Sequence, residues 1–256
     1  MLSTYAAYQL TTQNIDRSLG IVKNDPMVGR ETEYYLENIG NIKSAEEFVN
    51  DGRIFQYAMK AFGLEDMNYA KAFMRKVLEE GTDDKTAFAN RLADNRYIEF
   101  AETFNFARYG ETATTFTRAQ QGTVDLYMRQ TLEENEGEKN EAVRLAMYFE
   151  RKAPDLQSVT GILADSALST VVRTILGMPE ATATLNIDKQ IEMLEGRIDI
   201  ADFQDPDKLA GMIERFSAMW DMNNGGGAAE AEVGLLFGNA GATTLSADML
   251  MSLLTR

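Results

Sequence analysis

Cysteine and histidine are both absent from this 256-residue chain. Without them there is no thiol nucleophile, no disulfide, no Cys/His zinc site and no imidazole for acid–base work near neutral pH. The missing disulfides leave the chain compatible with reducing and oxidising compartments alike. Proline is scarce, at four residues, and alternation of Val, Ile and Thr never persists as it does in strands. No run of about 18 apolar residues exists, so no membrane span is expected. The N-terminus lacks a basic cluster followed by an apolar block, so no cleaved secretory signal is expected. Basic residues are in deficit: 25 Lys and Arg face 40 Asp and Glu, a net charge of −15. That balance repels nucleic acid and anionic lipid on average, and favours basic or neutral protein partners.

What is present is helix. Apolar residues recur at three- and four-residue spacing almost throughout. The pattern predicts an amphipathic first helix over residues 3–22. Asp25-Pro26 starts the next, with Asp as cap and Pro at the first helical position. Ser44 followed by Glu47 reads as a capping box, and Asp51 caps a helix that Gly63 ends. Further helices are expected from Asp66 to about Glu80, from Asp84 to Leu92 and from Asn95 to Phe106. After a Thr- and Gly-rich connection, a long helix is expected from about Thr117 to Leu132. Residues 133–139 read as a charged turn, and Asp205-Pro206 opens a last helix reaching about Asp221.

Part of this pattern occurs twice. Residues 34–64 align without a gap on residues 148–178, a shift of 114. Tyr34/Tyr148, Ser44/Ser158, Asp51/Asp165 and Gly63/Gly177 are identical pairs. Apolar positions coincide as well, among them Phe48/Ile162, Ile54/Leu168 and Ala61/Ile175. Matched caps and core residues point to a duplicated scaffold, because a catalytic centre has no reason to keep caps in register.

Candidate chemistry is thin. Gly225 to Gly227 lack the preceding strand and following Lys of a phosphate loop and read as a linker. Glu133, Glu134, Glu136, Glu138 and Glu141 lack the alternating ligand order of a calcium loop and read as a solvated turn. Asp199, Asp202, Asp205 and Asp207 include two carboxylates that could act as acid and base, but Asp205 is already explained as a cap. Phe216, Met219 and Trp220 form a stripe that suits core packing, with a partner groove as the competing use. Arg75, Lys76, Arg91 and Arg96 alternate with acidic residues and look like ordinary helix faces.

Several motifs carry a resemblance: SAEEFVND at 44–51, AMKAFGL at 58–64, YAKAF at 69–73, RLADNRY at 91–97, GILAD at 161–165 and FQDPDKL at 203–209. Over roughly residues 22–222 the chain resembles a flagellum-associated family of alphaproteobacterial proteins known as domain of unknown function 1217. The resemblance implies an all-helical chain of two related units whose genes sit among flagellar genes. Some members carry a basal-body rod label, although this chain lacks a recognisable rod-protein middle region. The resemblance supplies no catalytic residue. LSADMLMSLLTR at 245–256 is similar to the C-terminal end of flagellins and other axial proteins, which pair terminal helices into a bundle.

The expected fold is therefore all-α, with two tandem, topologically similar multi-helix units and terminal helices. The expected divisions are an N-terminal helix (1–21), a first unit (22–108), a connecting segment with a long helix (109–135), a second unit (136–222) and a Gly-rich linker with an apolar tail (223–256). The expected function is a non-enzymatic structural or assembly protein of the flagellum, cytoplasmic or flagellum-associated, with no cofactor and no metal. An adaptor outside the flagellum and a carboxylate-dependent enzyme are the competing readings. Partner binding or self-association is assigned to Tyr5, Tyr8, Ile15 and Leu19 at one end and Met249, Leu250, Leu253 and Leu254 at the other. The competing use of these apolar residues is packing on each other or on the core.

Overall fold

The computed structural model describes residues 2–224, and Met249, Leu250, Leu253 and Leu254 lie outside them. The described residues form no strand. Helices α1 (Thr4–Thr12), α2 (Ile15–Lys23) and α3 (Pro26–Asn38) lead into α4 (Ala45–Asn50), α5 (Gly52–Ala61), α6 (Lys71–Glu80) and α7 (Asn95–Thr103). A short α8 (Phe106–Tyr109) precedes α9 (Thr123–Gly137) and α10 (Glu141–Lys152). Then come α11 (Val159–Ala164), α12 (Ser166–Ile175), α13 (Ile187–Glu195) and α14 (Pro206–Asn224). None of them is long and apolar enough to cross a membrane.

The antiparallel pair α9 and α10 is the axis of the fold. α9 packs on α5 and α2, and α10 packs on α12, α14 and α1. One core runs through the whole set. Phe48 sits at its first centre, with ring contacts to Phe55, Phe100, Phe104 and Phe106. Phe149 against Phe203, 5.5 Å between centroids, forms a second centre. Phe216 of α14 is fully buried with Trp220 beside it, so the stripe on that helix serves the core.

The repeated residues adopt repeated geometry. Ser44 and Ser158 accept from the backbone N–H three residues on, opening α4 and α11. Glu47 reaches back one residue beyond the cap, accepting from the N–H of Lys43 at 2.8 Å instead of that of Ser44, so the expected capping box is met on the Ser44 side only. Asp51 Oδ1 accepts from Arg53 and Ile54 at the start of α5, and Asp165 Oδ1 from Ala167 and Leu168 at the start of α12. Gly63 and Gly177 have φ of 68° and 63°, a region where a side chain is strained. Each lets the next N–H turn back to the carbonyl five residues earlier, Leu64 to Met59 and Met178 to Arg173.

Several boundaries differ from the sequence expectation. The first helix is two: the Thr11 and Thr12 hydroxyls bond back to Ala7 and Tyr8 carbonyls, and the chain bends at Asn14 before α2. The segment from Asp66 begins as a 3-10 turn, and regular helix starts only at Lys71. Residues 84–92 do not form a helix beyond a 3-10 turn at Ala89–Arg91. There Asp84 ties itself to Thr86, and Asn90 bonds the Thr82 and Asp84 carbonyls, so side chains compete with the helical ladder. α9 starts at Thr123, after a π-helical turn at Arg118–Gly122, and runs through Gly137. The expected charged turn at 133–139 is therefore mostly helix, because Glu133 faces the core and finds cations there.

The two caps should differ in their contribution to stability. Tyr34 donates to Asp51 at a partly exposed site, at 3.2 Å, whereas Tyr148 donates to Asp165 in a buried one. Replacing either Asp with Ala should cost about 0.5–2 kcal/mol for the cap. Asp165→Ala should cost about 1–3 kcal/mol more, because it strands the buried Tyr148 hydroxyl. Urea unfolding of the two variants measures this; equal midpoints would contradict it.

Candidate functional site

A densely charged interior region lies where α7 meets α10 and α12. Arg96, in the first turn of α7, grips Asp94 with three contacts between 2.8 and 3.1 Å. Its remaining nitrogen donates to the Gly63 carbonyl at the end of α5. Its Nε also stands 3.9 Å from the Asp165 carboxylate that caps α12. One guanidinium thus joins the end of one repeated helix to the start of the other. Burial opposes the Arg96 charge, but Asp94, Tyr148 and Asp165 together outweigh it, so its pKa is raised. The expectation that Arg96 lies on an ordinary helix face is corrected here: its side chain is 20 % exposed. Beside it, Lys152 pairs with Glu99.

These groups surround a cavity of about 20 Å³ lined by Arg96, Glu99, Tyr148, Lys152 and Asp165 among others. That volume suits roughly one water molecule, far below the several hundred Å³ of a typical ligand pocket. The acid–base capacity is spent internally. Burial, then the Asp165 charge, raises the pKa of the Tyr148 phenol, which holds its proton and donates it to Asp165. The arrangement suits a fixed joint.

A second network lies between α9 and α10. Glu133 is 1 % exposed and takes both Arg151, at 2.7 and 2.8 Å, and Arg129, at 3.0 Å. Arg129 extends to Glu150 at 3.4 Å. Arg151 also reaches Gln130, which leads to Glu134 and then to Lys60 of α5. Burial opposes the Arg151 charge, and Glu133 restores it and raises the pKa. No motif announces Glu133. The available signal is that the pairs Arg129–Glu133 and Glu136–Lys139 follow i, i+4 and i, i+3 spacing, which favours helix over turn.

The N-terminal candidates pack on their own chain. Tyr8 is buried, and Tyr5, Ile15 and Leu19 are half-buried against the core. Thr4 bonds Asp221 of α14 through its N–H and its hydroxyl, and receives Asn140, tying the first helix to α10 and α14. Apolar residues exposed at this end are Leu2, Leu10 and Ile21. A shallow groove of about 350 Å³ runs past Thr12, Ile15, Arg129, Glu150 and Arg151. The aspartates of the α13–α14 connection act locally. Asp199 and Asp205 accept from following backbone N–H groups, and Asp202 pairs with Lys208. Among the described residues no three acidic side chains are placed to hold a metal ion.

Comparison with known proteins gives two matches. A family model described as "Protein of unknown function (DUF1217)" covers residues 61–209. A crystal structure of a protein from Agrobacterium tumefaciens is similar at 49 % identity and a TM-score of 0.80, over 88 % of this chain and 97 % of that one. No curated protein matches.

The Glu133 network generates a stability prediction. Glu133→Ala leaves two guanidiniums without their shared acceptor and should cost about 3–5 kcal/mol. Replacing Arg129, Glu133 and Arg151 together with apolar residues of similar volume should recover most of that loss. Thermal melts followed by circular dichroism check both. A single variant that melts like the parent would refute the account.

Proposed function

The chain belongs to the DUF1217 family of proteins of unknown function, and from that premise we propose that it is a non-enzymatic structural or assembly protein of the bacterial flagellum that acts through protein–protein contacts. The observation that carries the reading is the use of the interior charges. Asp165, Glu133, Arg96 and Arg151 are committed to helix caps and ion pairs that hold the fold together. Such groups supply rigidity and surface, which is what a scaffold offers its partners. The flagellar setting is supported by the resemblance of the sequence motifs to a family whose genes sit among flagellar genes. The two-unit organisation belongs to the same proposal: residues 22–108 and 136–222 are related units, supported by caps that recur at the shift of 114. The terminal apolar residues, Met249 to Leu254 above all, are the proposed contact segment for a flagellar partner or a second copy.

A clean deletion scored for swimming and filament assembly tests this directly. Loss of either, with the tagged protein recovered in purified basal bodies, is the expected result. A defect without recovery in basal bodies would favour an adaptor outside the organelle. Normal swimming and normal filaments would overturn the proposal. Changing Leu250, Leu253 and Leu254 to Ser should leave the purified protein folded while reducing motility. A variant that unfolds, or that swims normally, would remove the tail from the contact surface.

A further inference from the structure

Helix α13 follows α12 as α6 follows α5, and each packs on the short serine-capped helix before: α6 on α4, α13 on α11. The rest of their surroundings differ. α6 also packs on α7 and α8, and it buries Met74, Val77 and Leu78. α13 has α11 as its main neighbour and buries only Leu194. The reason lies in the helix that comes next. After α7 the chain turns and brings α8 back against the end of α6, where Asn105 and Ala107 lie close to Gly81. α14 instead runs on for 19 residues and packs on α10, α12 and α1.

Ile187, Ile191 and Leu194 fall on one stripe of α13, at i, i+4 and i+7. The stripe is closed at one end only. Leu194 is 1 % exposed, Ile191 is half-buried and Ile187 is 54 % exposed, with exposed Leu185 just before the helix. Asp188, Glu192 and Glu195 form a second stripe one residue on, and all three are exposed. Like charges at these spacings repel one another. None of the three carboxylates forms an ion pair among the described residues. α6, by contrast, offsets its acids with Arg75–Glu79 and Lys76–Glu80, at 3.5 and 3.7 Å.

The surroundings do not supply the missing cations. α11 carries no charged residue. Residues 155–208, from the turn before α11 to the start of α14, hold ten acidic and four basic side chains, and of these only Asp165 is buried. Lys208 is taken by Asp202, and Arg173 reaches Ser169 and Thr170 on its own helix. Lys189 and Arg197 remain as the cations on and beside α13, against seven acids between Asp188 and Asp207.

We propose that the open stripe of Leu185, Ile187 and Ile191, with Asp188, Glu192 and Glu195 beside it, docks a basic amphipathic segment of a partner protein that sets Lys or Arg beside Leu, Ile or Phe. The partner's apolar side chains cover the stripe, and its cations relieve the repulsion among the three carboxylates. Charge decides between occupants. Residues 225–256 hold Glu230, Glu232 and Asp248 against one cation, Arg256, and a second copy of this chain carries −15. Either would bring more negative charge to a negative face, whereas a basic segment neutralises it. This face is separate from the terminal contact segment, and the inference does not depend on the flagellar reading.

The test is selection of a random displayed-peptide library on the full-length protein. Enriched peptides should pair Lys or Arg with Leu, Ile or Phe. A synthetic peptide of that consensus should lose roughly tenfold or more in affinity to Ile187→Ser and to Asp188→Lys with Glu192→Lys. These side chains are exposed, so the melting temperature should not fall. Glu33→Lys with Glu37→Lys makes the same change in net charge at exposed positions of α3, and should cost far less affinity. Failure to enrich basic peptides, binding that ignores the α13 variants, or an equal loss from the α3 pair would overturn the proposal. So would tighter binding at this face of a synthetic peptide of residues 245–256, or self-association that Ile187→Ser abolishes.

Discussion

A helix that ends inside a protein must have its free backbone groups satisfied there, and the ten-residue helices α5 and α12 impose that demand twice. Both start at an aspartate that takes two N–H groups, and both end at a glycine in the left-handed region. Both also receive an arginine at the far end: Arg96 donates to the Gly63 carbonyl and Arg215 to that of Ile175. Much of the remaining polar interior is organised around these ends. Tyr34 and Tyr148 steady the caps, and Arg96 spans from the close of α5 to the opening of α12.

The charges inside the α9–α10 pair answer a different constraint. A buried ion pair seldom stabilises a protein relative to well-packed apolar residues, because desolvation offsets most of the attraction. Its effect is larger on alignment, since Glu133 is satisfied only where Arg129 and Arg151 converge. The network continues through Gln130 and Glu134 to Lys60. It thereby ties the central pair to α5. Among the described residues the buried charged side chains are Glu133, Lys152 and Asp165, so most of the described charge lies at or near the surface.

The sequence was most legible where one residue type answers one local need. Asp25, Ser44, Asp51, Asp94, Ser158, Asp165 and Asp205 all cap as their positions suggest, because capping involves only the next three residues. Legibility failed where side chains compete with the backbone. Thr11 and Thr12, Asp84 with Thr86, and Asn90 each divert hydrogen bonds, and there the predicted helices break or fail to form. It failed again for Glu133 and Arg96, whose sequence neighbours look like those of any solvated helix.

By itself, then, the sequence determined the helical class, the caps and stops, the duplicated pattern, and the lack of thiol and imidazole chemistry. Each of these follows from composition or from interactions within a turn of the chain. Only the tertiary structure decided which charges are buried, which helix each arginine closes, and that Tyr5, Tyr8, Ile15 and Leu19 rest on their own core. It also gathered Phe73, Phe88 and Tyr97 into one half-buried cluster against the core. Those outcomes depend on groups far apart in sequence meeting in space, and no local periodicity encodes which of them will meet.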